Sequence, residues 1–155
     1  MTDIIKKQTE ILLRNVRNAL LTADLEQRAD GIPNSRYLYH TIHSLDKWFI
    51  NPYDYTEPTG FPKDFDKLDE EFEITVSREQ LAEYFDIVSH KIMDYLTEIT
   101  AEMLAEKPPN CKYTRLELIL GQFRHAMCHV GIVMGMAMAE GKDCPQYVGV
   151  DGIYK

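Results

Sequence analysis

The sequence predicts an all-α fold, a four-helix bundle whose second and third helices are joined by a long crossover. Three observations predict it. Four segments carry apolar residues at steps of three and four. Almost nothing alternates with the period of two that a half-buried strand requires. A stretch of about 27 residues, interrupted by Pro52, Pro58, Gly60 and Pro62, separates the second segment from the third. Four helices around one core with one long connection form a bundle by ordinary packing rules. A chain of 155 residues is the size of one domain, expected to span 1–155.

The first helix is predicted from about Thr2 to Arg28, with Ile4, Ile5, Ile11, Leu12, Val16, Ala19, Leu20 and Ala23 on its apolar side. Asp30-Gly31-Ile32-Pro33 then breaks it, Gly31 serving as a left-handed stop and Pro33 blocking continuation. The second helix starts at Asn34 or Ser35, either of which can cap it. Leu38, Ile42, Leu45 and Phe49 form its core stripe, and Asn51-Pro52 ends it, because a residue before proline is pushed out of the α region.

The crossover, 50–76, ends in an acidic run from Asp64 to Glu73. A connection this long inside one domain is usually functional, so it is expected to cover one end of the bundle. Phe72 to Val76 reads as a short extended piece. The third helix is announced by the capping box Ser77-x-x-Gln80 and runs through Leu81, Phe85, Val88, Ile92, Leu96 and Ile99 to Met103, before Pro108-Pro109. The fourth opens with a second capping box, Thr114-x-x-Glu117, and closes at Gly141. Three of the four helices read as roughly 25 residues, about 37 Å at 1.5 Å per residue. Gly131 and Gly135 in mid-helix are expected to admit a neighbouring backbone, since mid-helix glycine costs about 1 kcal/mol against alanine. The tail, 141–155, reads as irregular.

Composition excludes several functions. With 17 Lys+Arg against 25 Asp+Glu the net charge is −8, which phosphate backbones repel, so no nucleic acid is expected as partner. No apolar run approaches the ~20 residues of a membrane span. The opening residues lack the apolar core of a secretory signal, so the expected compartment is the cytoplasm. Cys111, Cys128 and Cys144 form neither a disulfide framework nor a CxxC metal site.

The histidines carry the chemistry. Of the five, His125 and His129 stand four apart on the fourth helix, so both imidazoles share a face and can reach one metal ion. A zinc protease needs Glu directly after the first His, where this chain has Ala126. A carboxylate di-iron bundle needs Glu three residues before each His, where this chain has Gln122 and Tyr37. His40 and His43 form the second pair, and one of them can supply a third imidazole. Three neutral imidazoles leave an open coordination position, the arrangement of a catalytic ion rather than a structural one. The other histidine of the pair can serve as partner to a ligand or contact substrate. His90 reads as a packing or surface residue.

Leu38-Tyr39-His40, with Trp48 eight residues on, followed by His125-x-x-x-His129 and Gly131 on the last helix, resembles the DinB/YfiT-like superfamily over about residues 2–140. The resemblance implies that family's four-helix topology and a divalent metal, Zn, Ni or Fe, held by His40, His125 and His129, with His43 as the alternate. It prefers His40 because the family's ligand follows an apolar or aromatic pair and precedes an aromatic by about eight residues. It also implies a low-molecular-weight thiol as co-substrate, a small-molecule substrate, a homodimer, and a thiol-dependent transferase or hydrolase reaction. Asp46, Gln122, Arg124, Tyr37 and Tyr39 are the candidates for contacts around the metal or substrate. The competing reading is a non-catalytic metal-binding or dimeric bundle, with Met134, Met136 and Met138 at the seam.

Overall fold

The computed structural model describes residues 1–154. It is all-α in class. The helices are α1 (Thr2–Thr22), α2 (Asn34–Trp48), α3 (Arg78–Glu98), α4 (Ala101–Ala105) and α5 (Arg115–Ala139). Two small antiparallel hairpins join them, β1 (Arg28–Ala29) with β2 (Ile32–Pro33), and β3 (Tyr147–Gly149) with β4 (Gly152–Tyr154). Both α1 and α2 pack against α3 and α5. Val16, Leu20, Leu38, Ile42, Leu45, Phe49, Leu81, Val88, Ile92 and Ile119 are fully buried between them. Among the described residues no helix is long and apolar enough to cross a membrane.

The first helix stops at Thr22, six residues before the expected Arg28. Asp24 turns the chain out of the helix, its Oδ1 accepting from the Glu26 amide at 3.1 Å. The freed backbone then starts α2: the Leu25 and Gln27 carbonyls accept from the Ser35 and Asn34 amides at 3.0 and 2.8 Å. These bonds replace the side-chain cap expected from Asn34 or Ser35. The N-cap is Pro33, with no side-chain cap bond, and the Asn34 side-chain Nδ2 donates to the Asp24 carbonyl instead. Asp30 and Gly31, at φ 50° and 79°, make the two-residue turn of the first hairpin rather than a helix stop.

The expected third helix is two helices. Ile99 is extended and buried, and Thr100 accepts from the Met103 amide at 3.3 Å to cap a new turn, α4. Both capping boxes form, at Ser77 with Gln80 and at Thr114 with Glu117. At the end of α5 the Gly141 and Lys142 amides donate back to Met138 and Ala137, with Gly141 left-handed at φ 65°. The long helices have 21, 21 and 25 residues.

The tail is irregular over 141–146 and then forms a hairpin. Its hairpin is tied to α1 by Asn15, which donates to the Val148 carbonyl at 2.8 Å and accepts from its amide at 2.7 Å. Lys155 lies outside the described residues. Phe72 to Val76 joins no sheet. Gly131 and Gly135 admit no neighbouring backbone: both face outward, and an added Cβ would meet nothing within 4 Å.

Candidate metal centre

His40 lies in the second turn of α2, and His125 and His129 lie on successive turns of α5, the helix packed beside it. The apolar periodicity of each helix sets their direction. On α2, which is buried nearly all round, His40 lies on the face opposite the stripe of Leu38, Ile42 and Leu45 and meets His125 of α5. On α5 the buried Gln122, Ala126 and Val130 leave the two imidazoles on the flank that meets α2.

The three rings converge. One ring nitrogen from each lies within 4.8 Å of the other two. His40 Nε2 is 3.0 Å from His125 Nε2, and His129 Nε2 is 3.1 Å from His125 Nε2. The ring centroids are 4.6 to 4.9 Å apart and steeply inclined, so the rings meet edge-on at their tips instead of stacking.

Proton counting shows why this arrangement suits a cation. His40 Nδ1 is 2.6 Å from the Asp66 carbonyl, which can only accept, so Nδ1 carries the hydrogen and Nε2 of the neutral ring is a bare lone pair. His125 Nε2 faces both its neighbours and can offer one hydrogen or one lone pair. Imidazoles alone can therefore make at most one of the two contacts a straight hydrogen bond. A single cation at the tips satisfies all three lone pairs at once. Two nitrogens each about 2.0–2.1 Å from a common ion, at angles between octahedral and tetrahedral, stand roughly 2.8–3.4 Å apart. The observed separations of 3.0 and 3.1 Å fall in that interval.

The electrostatics agree. Burial pulls His40 below the ordinary imidazole pKa, the Asp66 hydrogen bond opposing it. Burial, then the neighbouring His40, lowers His125. Burial, then His40 and His125, lowers His129 to about 4. All three rings are thus held neutral, the form that binds a metal. Nδ1 of His125 and of His129 is buried and finds no partner among the described residues, so His40 alone has its outer nitrogen fixed by the protein.

The other expected residues are distributed around this centre. His43 is buried at 3% exposure and turned toward the crossover, its Nε2 2.8 Å from Glu57 Oε2. Tyr37 packs its ring against His129 at 5.7 Å, while Tyr39 lies against His43 at 5.7 Å. Gln122 accepts from Ser44 at 3.0 Å. Asp46 is engaged by Tyr84 and Lys91 at 2.9 and 2.6 Å. Arg124 is exposed, as is His90, which bonds within its own helix. The sequence offered no sign of Asp66, whose contribution is a main-chain oxygen. One turn before His40, Arg36 lines a cleft of about 830 Å³ with Arg28, Ile32, Leu68, Glu70 and Phe72.

Fold and site together define a mainly helical protein with three half-buried imidazoles that could hold one metal ion. The chain matches no family model, no curated protein and no solved structure.

Proposed function

We propose that the protein is a divalent-metal-dependent enzyme of the DinB/YfiT-like kind, a transferase or hydrolase that uses a low-molecular-weight thiol or water against a small electrophilic molecule in the cytoplasm. Helices α1, α2, α3 and α5 are then the four members of that family's bundle, with α4 as an appendage. The observation that carries the reading is the meeting of His40, His125 and His129 at their Nε2 atoms.

Zn, Ni and Fe all suit an imidazole set. Bound there, such an ion supplies Lewis acidity, lowering the pKa of a thiol or water beside it. The chain's own residues do the rest. His125 and His129 present lone pairs from one rigid helix face. The Asp66 carbonyl holds His40 in the tautomer that leaves Nε2 free. Tyr37, packed on His129, keeps that ring from swinging. The crossover packs on the flank of α2 through Arg36, His40 and His43.

A non-catalytic, paired role is the second reading, and one observation favours pairing. The outer side of α5 exposes Leu120 and Met138 beside Gly131 and Gly135, with Arg124 and Cys128 between them, a face that a second copy of the chain would cover. The decisive experiment is elemental analysis of untagged protein followed by turnover of a thiol with a chlorodinitrobenzene-type electrophile. The enzymatic reading expects one ion per chain and activity lost both on chelation and in His125→Ala. Metal content without turnover would leave the binding protein, and absence of metal would remove both metal readings.

A further inference from the structure

Helix α2 turns four nitrogen-bearing side chains, Arg36, His40, His43 and Lys47, toward the crossover. Their spacing of four, three and four places them along one face. Arg36 donates to the carbonyl oxygens of Phe65, Lys67 and Glu70. His40 Nδ1 donates to the Asp66 carbonyl at 2.6 Å. His43 sits between two carboxylates, Nε2 2.8 Å from Glu57 Oε2 and Nδ1 3.7 Å from Asp66 Oδ2. Lys47 Nζ reaches the other oxygen of Glu57 at 3.5 Å.

Asp66 is therefore hydrogen-bonded through its main chain, while its carboxylate stands 3.7 Å from His43, beyond hydrogen-bond distance. Its main chain meets His40, and its side chain faces His43. Of the four α2 residues only His40 also points at the three-imidazole centre. The tautomer and aim of His40 depend on where the Asp66 carbonyl lies, and that position depends on how the crossover is fastened.

We propose that Asp66 is the positioning residue of the metal centre and that His43, gripped by Glu57, is the latch that keeps it in place rather than a metal ligand. The proposal rests on the reading that His40, His125 and His129 bind a divalent ion. It gives the crossover a function beyond cover, because metal affinity and attachment of the crossover become two faces of one equilibrium. Coupling of this kind is reciprocal: whatever factor the latch adds to metal affinity, the metal returns to the crossover. Residues that fix the outer nitrogen of a metal-bound histidine typically change affinity 10–100-fold, and a latch one contact further out belongs at the lower end, about tenfold.

The test is a Zn²⁺ titration against a chromogenic chelator, with amide exchange followed over residues 57–70, for the native chain, Glu57→Gln, Glu57→Asp and His43→Gln. Glu57 is 64% exposed, so its variants keep the fold even if the buried His43→Gln does not. The expected result is one ion per chain in all four, with affinity about tenfold weaker in Glu57→Gln and His43→Gln and close to native in Glu57→Asp. Zn²⁺ should slow exchange over 57–70 in the native chain and less so in Glu57→Gln, with the metal-free melting temperature of Glu57→Gln unchanged. Native affinity in Glu57→Gln, or exchange over 57–70 indifferent to Zn²⁺, overturns the latch while leaving the metal site intact. Loss of the ion from folded His43→Gln makes His43 a ligand and overturns it as well. A native chain that takes up no Zn²⁺ defeats the three-histidine reading itself, and the latch with it.

Discussion

Asp66 gives its carbonyl oxygen to His40, and the next carbonyl along the chain, that of Lys67, goes to Arg36 one helical turn earlier. Consecutive peptide groups of an irregular segment thus grip consecutive turns of α2. The crossover is part of the architecture around the three imidazoles, and the behaviour of the site should be readable from either side of that contact.

Removing any one of the converging imidazoles should abolish tight metal binding. His40→Ala, His125→Ala and His129→Ala are each expected to weaken Zn²⁺ binding by more than about 100-fold, beyond the loss typical of an outer partner. Thr9→Ala, far along α1, should leave it unchanged. The native chain should also gain stability from the metal, about 2.7 kcal/mol at a free concentration 100 times the dissociation constant. Calorimetry with Zn²⁺ and then with excess chelator checks both, and a melting temperature indifferent to the metal counts against the site.

The metal-free chain should lose stability on mild acidification. His129 is held neutral with its pKa lowered to about 4, and His40 and His125 are lowered by the same burial. An unfolded imidazole titrates near ~6.5. Between those values the unfolded chain binds protons that the folded chain does not, so protonation favours unfolding. The contribution is intact above about pH 6.5 and is lost as the pH falls toward about 4. Urea midpoints at pH 7.5, 6 and 5, in chelator, should fall in that order. In His129→Gln the slope should be shallower, and an unchanged slope would show that His129 is not the group responsible.

The course of the helices was legible because helical period and capping are local. Ser77 with Gln80 and Thr114 with Glu117 announced two helix starts that the structure reproduces to the residue. The His125/His129 pair was legible for the same reason, since four residues on a helix are neighbours in space. Long-range backbone bonding was not. The α1 terminus at Thr22 depends on the Leu25 and Gln27 carbonyls being needed by α2, which no property of residues 22–28 reveals. The Asp30-Gly31 turn is a hairpin signal that the helical pattern on either side obscured. Asp66 carried no signal at all, because any residue can offer a carbonyl.

Gly131 and Gly135 mark the outer side of α5, where an added methyl group meets nothing within 4 Å. In a chain whose α5 faces water there, Gly131→Ala and Gly135→Ala should each stabilise the helix by about 1 kcal/mol. Chemical denaturation with light scattering at several concentrations measures both stability and mass. Stabilisation with unchanged mass is the expected result for an uncovered face. Destabilisation together with a fall in mass would show that a second copy approaches these glycines closely.

Arg36 should be the most sensitive position outside the imidazoles. Its side chain is 3% exposed, and its guanidinium spans carbonyls at Phe65, Lys67 and Glu70 while lying 5.2 and 4.7 Å from the rings of Phe65 and Phe72. A planar fork can serve several acceptors and stack on a ring at once, whereas an ammonium is a point charge with a hydration shell to lose. Arg36→Lys should therefore cost about 2–3 kcal/mol despite keeping the charge, since the carbonyls of Phe65, Lys67 and Glu70 lose a charged donor. Arg36→Met preserves the stem but offers no donor, so it should cost more. The loss should be local before it is global: amide exchange over residues 65–72 should accelerate in both variants while the α3 core at Leu81, Val88 and Ile92 stays protected. Because the neighbouring carbonyl holds His40, Zn²⁺ affinity should fall along with that protection. A variant that frees residues 65–72 yet binds Zn²⁺ as tightly as the native chain would separate the crossover from the histidine site.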